Sequence, residues 1–294
     1  MTAHVAAATE ARGRVILRFS AWAPNDVAIQ AAMLVASAFQ SEVEILFVED
    51  SQRVDFASFP FAKEFPVRGG APRAVSAQAV RAEIKSAFTS ARRRVAAAAA
   101  ELEVHVYEHV VRDDPVQALV SACARRGPWN MIAIAETFGS PATFSLDEVF
   151  DTVSDATGVI IAGPDARSCM TADRVAMGPV VLAVEDTIHF QGMLRAGRYI
   201  AAALASEIVV LLVAGTDQEL AQMDAEVRLL LADEANVRLA LTGITYGDQS
   251  AASEAVRRQG SAFLIAQYGG VIAPRGKSSK PLTGTLPCPV LLVR

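Results

Sequence analysis

Two stretches decide the fold: Val15 to Val48, VILRFSAWAPNDVAIQAAMLVASAFQSEVEILFV, and Val180 to Val213, VVLAVEDTIHFQGMLRAGRYIAAALASEIVVLLV. Set side by side at an offset of 165, without gaps, they share nine identities in 34 positions, among them Val15/Val180, Leu17/Leu182, Ala31/Ala196, Ala36/Ala201 and Glu42/Glu207. The order of periodicities is also the same in both. A short apolar run and a polar turn come first. Apolar residues at helical spacing follow (Ile29, Met33, Ala36; Leu194, Ala201, Leu204), and a β-rich run, VEILFV or IVVLLV, closes the stretch. Strands apolar on both faces and separated by helices call for a parallel sheet covered on both sides.

The repeat continues at a shorter offset. Arg125-Arg126 and Met131-Ile132-Ala133 match Arg257-Arg258 and Phe263-Leu264-Ile265 at 132, and Val159-Ile160-Ile161 matches Val290-Leu291-Leu292 at 131. The first half therefore carries an insert, placed at residues 50–78, where Pro60, Pro66, Pro72, Gly69-Gly70 and Phe56, Phe59, Phe61 and Phe65 fit neither helix nor strand periodicity. The expected organisation is a flexible leader over 1–13, one α/β domain over 14–163, a polar linker over 164–178 and a second α/β domain over 179–294. Ala79 to Leu102 reads as a long helix, and Asp114-Pro115 as an N-cap followed by a first-turn proline.

Composition narrows the function classes. The 294 residues are 52% hydrophobic, enough for large cores, and the net charge of −5 argues against a protein that neutralises many phosphates along a nucleic acid. No apolar run is long enough for a spanning helix, so no membrane insertion is expected. Cys123, Cys169 and Cys288 lie far apart with no CxxC pair, which suits a reducing, cytoplasmic setting without disulfides or a thiolate metal site.

The strand, the helix and the SE[VI]xxLxV segment opening each half, with LPCPVLLVR at Leu286 to Arg294, resemble the universal stress protein family in tandem form. The resemblance implies two open five-stranded parallel sheets flanked by helices, a stress-response or regulatory role, dimers through an edge strand and, in many members, bound ATP or AMP. It further implies an acidic residue after the first strand and a loop of the form GxxG-x9-G[ST] after the fourth, where backbone N–H groups and a helix N-terminus meet phosphate.

The first half departs from both features. Ser20 follows its first strand, and AETFGSPATFSLDEVFDT has one glycine and a cluster of carboxylates, Glu136, Asp147, Glu148 and Asp151, where phosphates would sit. In the second half the candidate adenine-nucleotide site is Glu185, Asp186, Gly269, Gly270, Gly276, Lys277 and Ser278. Its glycine spacing is shortened, Lys277 stands in the place of Ser or Thr, and a Walker A loop is missed because Val271 occupies the first glycine position. A surface loop that needs positive φ at its glycines is the competing explanation.

Other candidates carry less. His105 and His109 lie too far apart along one strand for a single metal, and Arg92-Arg93-Arg94 spreads around a helix. His189 has no Ser or Cys nucleophile to serve. The four Phe of the insert must be covered, by their own domain or as a hook on another subunit. The expectation is a non-catalytic binding module acting through protein surfaces, with an unidentified protein partner and a homodimer. The alternative is an ATP or AMP sensor using the second-half loop, and slow ATP hydrolysis ranks last.

Overall fold

The structure, a computed structural model, describes residues 13–19, 24–49, 51–64, 71–125, 129–135, 145–163, 165–171, 175–232, 237–243, 249–276 and 286–294. The first half runs β1 (Arg14–Phe19), α1 (Asp26–Ala38), β2 (Glu42–Val48), α2 (Ser51–Phe56), β3 (Lys63–Glu64), β4 (Arg73–Ala74), α3 (Ala77–Leu102), β5 (Val106–Val111), α4 (Pro115–Cys123), β6 (Asn130–Ile134), α5 (Leu146–Thr152) and β7 (Ala156–Ile161). The second half runs β8 (Val180–Val184), α6 (Phe190–Leu204), β9 (Ile208–Ala214), α7 (Asp217–Leu230), β10 (Val237–Gly243), α8 (Gln249–Arg258), β11 (Phe263–Gln267) and β12 (Val290–Val293).

Local chemistry sets the helix ends. Asn25 Oδ1 accepts from the Val27 and Ala28 N–H groups to start α1. Asp114 Oδ1 accepts from Val116 and Gln117 N–H ahead of Pro115, as the Asp-Pro order predicts. At the far ends of α1 and α6, Gln40 and Ala205 take the same left-handed φ of 49° at positions related by the offset of 165, so the repeat extends to the caps.

Among the described residues, ten strands form one sheet in the order β10-β9-β8-β11-β12-β7-β6-β1-β2-β5. Each half supplies five parallel strands, as the repeat implied. The halves meet where β12 pairs antiparallel with β7, Leu291 opposite Ile160 and Val293 opposite Gly158. Helices α1, α3, α6 and α7 pack on one face over Val15, Leu17, Val210 and Leu212, while α4, α5 and α8 cover the other over Ile16, Ile132, Leu211 and Leu264. Strands apolar on both faces are thus buried on both faces. Across the seam α1 packs on α6.

Two features add to the sequence reading. The insert does not cover its Phe side chains with its own body: Phe56, Phe59 and Phe61 are 52%, 50% and 72% exposed, and the residues that anchor it are Val54, Ala57 and Ala62. Phe59 and Phe61 stack on each other with centroids 5.3 Å apart, which shields one ring face each and leaves the others bare. Phe65 lies outside the described residues. The segment between β7 and β8 is also more than a polar tether. Cys169 is buried in the core, and Met170 pairs with Ala176 in a short antiparallel bridge.

Candidate functional site

In open α/β sheets the site lies beyond the carboxyl ends of the strands, where connections diverge to opposite faces. In the second half that place is the gap between β8 and β11. Glu185 leaves the end of β8 and turns into the loop that follows β11. Its carboxylate accepts from the backbone N–H of Val271 and, at 3.1 Å, from that of Ile272. The carboxylate comes so close to Gly270 that a Cβ there would have to push the Glu185 side chain aside. Gly269 and Gly276 take φ of 94° and 65°, the left-handed turns expected of this loop. Burial raises the Glu185 pKa, and the two N–H donors oppose that rise without cancelling it.

Asp186 does not join this arrangement. It accepts from the backbone N–H of His189 at 3.0 Å and lies 2.9 Å from the ring Nδ1, at the start of α6. Burial works to raise its pKa, but the hydrogen bonds from the His189 backbone and ring and from Gln267 prevail and lower it. Lys277 and Ser278 lie outside the described residues, as do Ser20 and Glu136.

Sequence reasoning missed the other side of the site, which comes from the first half. Asp147, in the first turn of α5, accepts from the Gly276 N–H at 3.1 Å through both carboxylate oxygens, and from the Tyr268 hydroxyl. Tyr268 stacks on Phe150 with ring centroids 4.0 Å apart. Arg275 donates to Asp151 at 3.2 Å and lies over the Tyr268 ring. Burial, followed by the hydrogen bond to Asp147, pushes the Tyr268 hydroxyl well above its usual pKa, so it remains a donor. The only signal in the sequence was the acidic run Asp147, Glu148, Asp151, read there as repulsion of a first-half ligand. It lies 129 residues before Gly276, and only the β7–β12 pairing brings the two together.

The arrangement is a backbone anion cradle whose donors point at carboxylates of the same chain. Among the described residues there is no cluster of His, Cys, Asp and Glu able to hold a metal. Burial raises the Cys288 thiol to about 11 and the Cys123 thiol to about 12, so neither is a thiolate near neutral pH.

Against solved structures, the universal stress protein of Archaeoglobus fulgidus DSM 4304 superposes with a TM-score of 0.56 at 13% identity, over 95% of this chain and 98% of that one. The chain has the universal stress protein fold. A functionally unknown protein from Pseudomonas aeruginosa PAO1 shares it at a TM-score of 0.54 and 12% identity, over 98% of this chain and 94% of that one. So does the cytoplasmic domain of a prokaryotic cation chloride cotransporter, at 0.53 and 8%, over 96% and 95%. No family model matches the sequence, and no curated protein does. The universal stress protein fold is therefore common to proteins of different roles, and function must be argued from the site.

Proposed function

We propose that the protein is a non-catalytic stress-response or regulatory module of the cytoplasm, built of two domains over 14–163 and 179–294, that works through its surfaces on a protein partner. The observation that carries this reading is the occupancy of the second-half loop. Glu185 takes the Val271 and Ile272 N–H groups, and Asp147 takes that of Gly276, so the donors a nucleotide phosphate would need are spent on internal carboxylates. The bare, stacked Phe59 and Phe61 and the outer-edge strand β5, with Tyr107 and Val110 about half exposed, supply surface for a partner or a second copy of the chain.

One observation favours a second reading, an ATP or AMP sensor. Carboxylate oxygens stand where phosphate oxygens would accept from the same N–H groups, beside Arg275, with Lys277 and Ser278 next in sequence. An anion would have to displace both acids. Calorimetric titration of the full chain with ATP, AMP and ADP separates the two. The binding-module reading expects no heat at millimolar ligand. Micromolar binding at one site per chain, lost in Gly276→Asp, would establish the sensor.

A further inference from the structure

The antiparallel seam also builds a concave site that shares no residue with the loop after β11 and is independent of either reading of that loop. Between the C-terminal end of α1 and the first turns of α6 lies a cleft of about 870 Å³. Its floor is the β7–β12 pair, where Gly158 lies opposite Val293. Small ligands bind preferentially at such joins between domains, in pockets that are mostly apolar with a few polar groups.

The walls are aromatic. Phe39 meets Trp129 and Tyr199 ring to ring, with centroids 5.5 and 5.0 Å apart and the planes tilted by 57° and 44°. The rings do not bury one another: Tyr199 is 49% exposed, and Ile188, also lining the cleft, is 84% exposed. Apolar surface left bare in a concave place is the mark of a binding site.

Charge selects the occupant. Arg195 stands one turn before Tyr199 on the same face of α6, lines the cleft and, among the described residues, makes no hydrogen bond or ion pair. Arg294 also lines it, but its guanidinium donates to the carbonyls of Phe150, Val153 and Ser154, and His189 faces Asp186. None of the described residues lining the cleft is Asp or Glu, in a chain that carries 32 of them. Three tilted rings also suit a quaternary ammonium, but a cation would meet Arg195 with no acid to offset it. A planar guanidinium beside ring faces matches a flat apolar body that carries an oxyanion. The repeat does not duplicate this chemistry, since the offsets of 165 and 132 carry Arg195, Tyr199 and Trp129 onto Gln30, Leu34 and Ser261.

We infer that the Phe39–Trp129–Tyr199 cleft binds a small planar aromatic anion, with its rings against the aromatic walls and its oxyanion on Arg195. The test is titration of the full chain with anilinonaphthalene sulfonate, followed by dye fluorescence, beside phenylnaphthylamine, which has the same rings without the sulfonate. One saturable, micromolar site per chain is expected, with the neutral amine weaker by about tenfold. Arg195→Gln should remove that difference and leave the melting temperature unchanged, because Arg195 has no bond to lose. Gly192→Leu should abolish the site: Gly192 lines the cleft, and a Cβ there meets nothing within 4 Å, so the larger side chain enters the cleft without displacing its neighbours. Dye that is lost in Phe59→Ser and Phe61→Ser instead, dye that binds the Arg195 and Gly192 variants as it binds the parent, or the absence of saturable binding overturns the assignment.

Discussion

Strands β1 and β8 are related by the offset of 165 and carry opposite chemistry toward their carboxyl ends. Arg18, 1% exposed, occupies the position that Ala183 holds in the second half, and Glu185 stands where the first half has Ser20. A buried guanidinium marks one strand end and a partly buried carboxylate the other. The repeat therefore fixed the framework, strand order and helix caps, and left the strand ends to diverge. Arg18 and Ala183 are both fully buried, so each half has packed its core around its own residue at this position.

The largest expected effect comes from forcing the halves to be alike. Ala183 is fully buried, and Ala183→Arg would place an unpaired guanidinium among tightly packed side chains, a loss of about 3–5 kcal/mol or more. Denaturant titration should show collapse of the folded baseline. A variant as stable as the parent would mean that the second half has room for the first half's chemistry.

Gly270→Ala comes next. The added methyl must push the Glu185 carboxylate off the Val271 and Ile272 N–H groups, which costs about 1–3 kcal/mol. In a Glu185→Ala background the methyl has nothing to push, so the two changes should be strongly non-additive. Simple additivity would show that Gly270 is not held small by the carboxylate.

Glu185 also gives the second half a pH signature. Its folded pKa is raised above the ordinary 4.5, so the native state holds the proton more tightly than the unfolded chain does. Its contribution to stability therefore falls as pH rises from 4.5 through the raised value. Glu185→Gln should lose this component, seen as a flatter stability–pH curve across that window. Identical curves for parent and variant would contradict the assignment.

Asp186 should give the smallest change, of opposite sign. Its lowered pKa means that the stability it adds is present above 3.8 and lost as pH falls below that. Asp186 is about one-third exposed, so Asp186→Asn should cost less than about 1 kcal/mol at neutral pH, measured by thermal melting.

Much of this was legible in advance because the sheet is apolar on both faces and duplicated. The repeat at 165 and 132 located the four inner strands of each half, while the edge strands β5 and β10 lie outside the matched segments, and the Asp114-Pro115 and glycine signals located caps and turns. Two misreadings have physical causes. Of the two covers expected for Phe56, Phe59 and Phe61, their own domain or another subunit, the first does not hold: the insert is anchored by Val54, Ala57 and Ala62, and Phe59 and Phe61 stack on each other. Asp147 and Asp151 were read within their own half, whereas they serve the loop after β11.

The sequence by itself determined the doubly covered sheet, the repeated strand–helix–strand units and the candidate loop, since periodicity and turn chemistry act over a few residues. Only the tertiary structure decided that Glu185 fills that loop while Asp186 turns to His189, and that Asp147 latches it from the other half. Those outcomes depend on the antiparallel pairing of β7 with β12, which brings together groups more than a hundred residues apart and has no local signature in the chain.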